Sequence, residues 1–130
     1  MLPKVKHTLS SLHFIFNYKS AFYFLDKIKS LNVYDEVEIE IGIETQTLES
    51  LDNILLQIFT IKGDDFVFYK KGSIKLWITE EMREYIEYKL SEFLSKGDFY
   101  PAEIGSFQRT NSIMFFKKIK MIDLYFIKEI

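Results

Sequence analysis

Glu36-Val37-Glu38-Ile39-Glu40-Ile41-Gly42-Ile43-Glu44 is the stretch that decides how this chain folds. Val37, Ile39, Ile41 and Ile43 alternate with Glu36, Glu38, Glu40 and the small Gly42, and Glu44 closes the run. A period of two places side chains on opposite faces of an extended strand, so the stretch predicts a strand with one apolar and one acidic face.

Downstream, a polar stretch over 45–53 leads to Ile54–Lys62, read as a strand. Gly63-Asp64-Asp65 is a turn signal, and Phe66–Lys70 reads as the next strand. Lys71-Gly72 turns the chain into Ile74–Ile78. These connections look too short for parallel crossovers, which predicts an antiparallel meander. Thr79 then caps a helix over 80–96. Glu80 and Glu81 suit its first turn, Met82, Ile86, Leu90, Phe93 and Leu94 give it an apolar stripe, and Gly97 suits its end. Residues 98–112, with Pro101 and Gly105, read as a loop. Ile113–Ile119 and Leu124–Ile127 read as two closing strands, or as parts of one long strand with a bulge.

Upstream, Leu12, Phe14, Phe16 and Tyr18 alternate, predicting a first strand over 11–18. Ser20 then caps a helix over 21–31 with Phe22, Leu25, Ile28 and Leu31 on its apolar side. A continuous helix over 8–31 is the competing reading. No internal repeat is evident. The expected fold is a single α+β domain over 1–130. Its sheet is mostly antiparallel, with about five to seven strands and two helices packed on one face, in the order β-α-β-β-β-β-α-β-β.

Composition narrows the function classes. Hydrophobic residues make up 48% of the 130 and charged residues 28%, the balance of a globular chain. Without cysteine there is no disulfide, no thiolate metal site and no cysteine nucleophile. The apolar stretch after Lys4 and Lys6 is broken by His13, Asn17 and Lys19, and no small-residue cleavage site follows. It does not read as a signal peptide, and a cytoplasmic location is expected. Phosphate loops, nucleophile elbows, metal-binding helices and calcium loops are all absent. His7 and His13 stand at neither helical nor strand-pair spacing. Arg109 falls in the polar loop, where an anion contact competes with plain solvation. Trp77, at a strand end beside the second helix, reads as a core residue, with an exposed interface hot spot as the competing reading. No catalytic residue, metal ligand or cofactor is expected.

Charge is the most informative property. Residues 35–65 carry nine acidic side chains against Lys62 alone, whereas residues 1–34 carry five lysines against Asp26. Only Arg83 and Arg109 are arginines, which with a net charge of −2 argues against a nucleic-acid partner. The acidic row has two explanations. Lysines such as Lys70, Lys75 or Lys117 neutralise it from neighbouring strands, or it faces a basic protein. The second predicts a non-enzymatic module of the kind a small bacterial immunity or antitoxin protein needs, blocking a basic nuclease-type toxin. Its expected contact residues are Glu36, Glu38, Glu40, Glu44, Asp64 and Asp65, with Tyr34 and Tyr69 as aromatic anchors. The alternatives are an enzyme or small-ligand protein with a pocket between sheet and helices, and a nucleic-acid regulator. The regulator would use Lys4, Lys6, Lys117, Lys118 and Lys120 with Phe115 or Phe116.

Overall fold

Along Glu36–Ile43 the alternation read from the sequence is realised: Val37, Ile39 and Ile41 are buried, while Glu36, Glu38 and Glu40 are exposed. The computed structural model describes residues 2–8, 10–43, 53–70, 72–110 and 118–130. The elements are β1 (Lys4–His7), β2 (Ser11–Phe16), α1 (Tyr18–Lys29), a 3-10 turn (Ser30–Asn32), β3 (Glu36–Ile43) and β4 (Asn53–Thr60). Then come β5 (Phe66–Lys70), β6 (Ser73–Ile78), α2 (Glu80–Lys96), β7 (Glu103–Thr110) and β8 (Lys118–Lys128).

The fold is α+β, as expected, but the sheet is larger and mixed. Its eight strands close into a barrel in the order β1-β2-β8-β7-β5-β6-β4-β3. The hairpins β1–β2, β3–β4, β5–β6 and β7–β8 are antiparallel. The pairs β1–β3, β2–β8, β4–β6 and β5–β7 are parallel. The expected meander is therefore corrected. From β4 the chain passes over to β5, and the β5–β6 hairpin folds back to lay β6 beside β4 in parallel. A hairpin thus does the work usually assigned to a helical crossover.

The pairing pattern repeats. In each half, ββαββ, the first strand is antiparallel to the second and parallel to the third, and the third is antiparallel to the fourth. The halves join twice in the same way, β2 with β8 and β6 with β4. One constant shift maps Val5 to Val67, Ser11 to Ser73, Leu12 to Ile74, Phe14 to Leu76, Phe16 to Ile78 and the helix cap Asn17 to Thr79. The sequence shows no evident repeat because conserving the fold here requires only apolar character and a cap, not identity.

Both helices leave the same end of the barrel, α1 after Phe16 and α2 after Ile78. α1 is capped by Asn17, not Ser20. The Asn17 side chain accepts from the Ser20 amide at 2.8 Å, and the Ser20 hydroxyl accepts from the Asn17 amide at 2.9 Å. Its inner face is Ala21, Phe24, Leu25 and Ile28, and Phe22 points outward at 66% exposure. α2 follows its expected bounds, with Thr79 accepting from the Met82 amide and Gly97 in the left-handed region at φ 84°. A Cβ at Gly97 would come within 2.7 Å of the Tyr18 hydroxyl, so close approach of α1 adds to the conformational demand for glycine.

The helices plug their end of the barrel. Phe24 lies 5.7 Å from Phe14, 5.2 Å from Phe16 and 6.2 Å from Phe126, ring centre to ring centre. Tyr18 stacks on Phe93, which stacks on Phe99 at 4.3 Å. Pairs at these distances and tilts add to plain area burial. At the opposite end β1, β3, β5 and β7 finish and β2, β4, β6 and β8 begin.

Other differences from expectation have local causes. β1 is too short to show a pattern from sequence. Residues 11–18 and 21–31 resolve as a strand followed by a helix, not one continuous helix. Residues 103–110 form a strand, not a loop: register shifts between Glu103 and Gly105 and between Arg109 and Thr110 break the alternation that would have revealed it. The closing segment is one strand from Lys118 onward. Among the described residues no helix is long and apolar enough to cross a membrane.

Candidate interface on the outer barrel face

Register across β3, β4, β6 and β5 lays out the outer surface row by row. Glu36 stands opposite Phe59, Phe59 beside Trp77, and Trp77 opposite Phe66. In the next row Glu38 stands opposite Gln57, which is beside Lys75. In the third, Glu40 stands opposite Leu55, which is beside Ser73. The acidic strand therefore meets an aromatic pair at its Glu36 end, with Lys75 two strands away in the Glu38 row. Phe59 and Trp77 stack at 5.2 Å with 17° between their planes. Trp77 is half-buried on this outer face rather than in the core, because the inward positions of β6 are Ile74, Leu76 and Ile78.

Among the described residues no cation lies within ion-pair distance of Glu36, Glu38 or Glu40. Glu38 accepts a long 3.5 Å hydrogen bond from the Gln57 amide. Lys75 is held two strands from Glu38 by the intervening Gln57, and Lys70 lies further round the barrel. Glu44 and Lys117 lie outside the described residues.

The acidic surface continues toward the helix end. Asp35 and Glu80 line an open groove of about 640 Å³ with Leu31, Thr60, Lys62 and Arg83, between the 3-10 turn, the strand ends and the start of α2. Tyr34 is exposed next to this rim. Arg83 is engaged by Glu80 and Glu84 and bonds Glu87 closely, leaving little of its charge to offset the rim. Among the described residues this groove is the pocket between sheet and helices, and it is open, its lining mixing charged side chains with Leu31 and Ile61.

The remaining expected residues do not all belong here. Asp64 is exposed in the β4–β5 turn. Asp65 has a structural bond: its carboxylate accepts from the Thr79 amide at 2.7 Å, tying the β5 entrance to the cap of α2. Burial pushes the Asp65 pKa up, with Asp64 and Glu81 adding to the rise and the bonds from Thr79 opposing it. A raised native pKa means the native state binds the proton more strongly than the unfolded chain. The stability this gives is present below the unfolded pKa and is lost as pH rises through the native one. Asp65→Ala is expected to lose about 1–2 kcal/mol through the missing bond. Asp65→Asn keeps an acceptor oxygen, and its stability relative to wild type is expected to improve as pH rises from acid through the carboxylate range. Urea unfolding across that range checks both.

Tyr69 faces the barrel interior at the hairpin end, away from the acidic row. His13 sits on the outside of β2, stacked on Tyr125 at 4.9 Å and bonded to the Ser11 hydroxyl. Burial, then the charge of Lys6, lowers its pKa. Lys4 pairs with Glu129 at 2.9 Å. Through Ile15 it aligns with Ile127, whereas Lys118 begins β8 about 30 Å away along that strand. Lys4 and Lys6 thus do not gather with Lys118 and Lys120. Phe115 and Phe116 lie outside the described residues. The Phe59–Trp77 strip was missed because strand adjacency cannot be read when non-consecutive strands pair. No protein-family model matches the chain, and neither a curated protein nor a solved structure was found to be similar to it.

Proposed function

We propose that the chain is a non-enzymatic protein-binding module whose outer face over β3, β4 and β6 docks a basic protein. In this reading it acts as a cytoplasmic bacterial immunity or antitoxin protein, covering the cationic active surface of a nuclease-type toxin. One observation carries the reading: exposed Glu36, Glu38 and Glu40 lack ion-pair partners among the described residues, and Glu36 at the end of that row stands opposite Phe59, which stacks on Trp77. Carboxylates of one sign speed encounter with a cationic surface and disfavour wrong partners. A half-buried tryptophan on the same outer face is the residue type that anchors interfaces. β4 and β6 are each paired with strands on both sides, so recognition across them rests on side chains rather than on strand addition.

The test is a partner captured from the native host, identified by mass spectrometry, and titrated by calorimetry against wild type, the double variant Glu38→Lys with Glu40→Lys, and Trp77→Ala. The charge reversal is expected to weaken binding at least about 100-fold, equivalent to about 2.7 kcal/mol, and to reverse the fall of association rate with salt. Trp77→Ala is expected to cost more than about 2 kcal/mol of binding. Unchanged affinity in both variants rules the reading out.

A further inference from the structure

At the hairpin end of the barrel, away from the acidic face, the interior opens into a cavity of about 350 Å³ lined by His7, Thr8, Tyr69 and Arg109. Pocket mouths of small barrels are common ligand positions, and this volume is at the small end of the usual range. Three features set this mouth apart from the apolar interior behind it.

First, among the described lining residues the donors outnumber the acceptors. The Arg109 guanidinium lies over the Tyr69 ring, 5.1 Å from its centre, and has no ion pair or hydrogen bond to any described residue. Arginine carries five donors in a planar fork and no acceptor. The Thr8 hydroxyl oxygen is already engaged by the Ser10 and Ser11 amides and the Ser11 hydroxyl. Second, the Tyr69 hydroxyl is buried with no hydrogen-bond partner among the described residues. Such an orphan costs about 1–3 kcal/mol unless something satisfies it. Burial pushes its pKa up to about 12, against an opposing pull from Arg109, so at neutral pH it is an O–H donor. Third, the polarity sits on the pseudo-two-fold. His7 and Tyr69 are equivalent positions of the two halves, and their rings stack on each other at 5.1 Å. Arg109 aligns with Val67 as Ile43 aligns with Val5, so one half places arginine where the other places isoleucine. Barrel closure and packing are served by the apolar choice. The substitution of a cation there needs another reason.

We propose that the barrel mouth binds a small ligand bearing an oxyanion, a carboxylate or a phosphate. Arg109 takes its charge, the Tyr69 hydroxyl donates to it, and the His7 ring forms one wall. Bidentate pairing to arginine suits both groups, and the ring stack holds the guanidinium in place before the ligand arrives.

The two histidines supply the experiment, since His7 lines the mouth and His13 lies outside on β2. Wild-type protein is titrated with benzoate and, separately, with inorganic phosphate while the imidazole carbon-bound proton resonances are followed by NMR. At least one probe is expected to move the His7 resonances saturably while His13 stays still. Saturation by benzoate alone assigns a carboxylate, by phosphate alone a phosphate, and by both an unselective oxyanion site. Arg109→Met is expected to weaken that binding at least ten-fold and Tyr69→Phe, which keeps the ring stack, about three-fold or more. Circular dichroism establishes that each variant is folded, and Tyr69→Phe carries the test if Arg109→Met is not. Absence of a saturable His7 shift with either probe, equal movement of His13, or undiminished binding by the folded variants overturns the proposal.

Discussion

Replacing Phe126 with alanine is expected to destabilise the protein by about 3–5 kcal/mol, the range for truncating a fully buried phenylalanine. Phe126 is 1% exposed and its ring meets four others: Phe16 at 5.1 Å, Phe99 at 5.6 Å, and Phe14 and Phe24 at 6.2 Å. Those neighbours come from β2, from α1 and from the α2–β7 connection. The void would therefore open where the barrel seam, the helix plug and the last connection meet. Rigid rings cannot collapse into it without leaving their own tilted contacts, which favours the upper part of the range. Phe126 also stands directly beside Phe14 across the β2–β8 pairing. Phe22→Ala on the outside of α1 is the control and is expected to stay within about 0.5 kcal/mol of wild type. Urea unfolding of both variants is the measurement. A Phe126→Ala loss below that of Phe22→Ala contradicts the described packing.

The second large effect is expected at Lys89. It lies on the buried side of α2 at 2% exposure, and its Nζ donates to the Pro101 carbonyl at 2.7 Å. A lysine this buried is unusual, and here its stem fills space while its head ties α2 to the chain that leads into β7. Lys89→Ala removes three carbons of packing and a charge-assisted bond, and is expected to lose about 2–4 kcal/mol. Lys89→Met keeps most of the volume and removes both the bond and the desolvated charge. Those two changes oppose each other, so methionine is expected to fall within about 1.5 kcal/mol of wild type. Thermal and urea denaturation of the pair separate stem from head: equal losses would mean that the bond, not the packing, carries the effect.

Sequence made some of this architecture legible and hid the rest for physical reasons. β3 and α2 were readable because each satisfies one periodicity along its whole length and α2 carries both caps. α1 was readable as a helix whose apolar side held at Leu25, Ile28 and Leu31 but not at Phe22: Phe22 and Phe24 are both apolar, and only tertiary packing selects Phe24. β7 was hidden by its two register shifts. Barrel closure was hidden because it depends on which strands lie side by side, and turn chemistry specifies only consecutive neighbours. The candidate face divides along the same line. The exposure of Glu36, Glu38 and Glu40 followed from alternation alone. The place of Trp77 in the Glu36 row, next to Phe59, required the parallel β4–β6 pairing, and Tyr69 and Arg109 met only because β5 and β7 pair in parallel.

Ring closure also has a kinetic side. The β2–β8 seam sets Leu12 beside Leu124 and Phe14 beside Phe126, joining the two ends of the chain. Loop-closure entropy must be met before such distant contacts return any stabilisation, so folding is expected to be slow for a chain of this length. Until the seam zips, β2 and β8 offer bare backbone to any neighbour, and crowded refolding is when this protein is most exposed to aggregation.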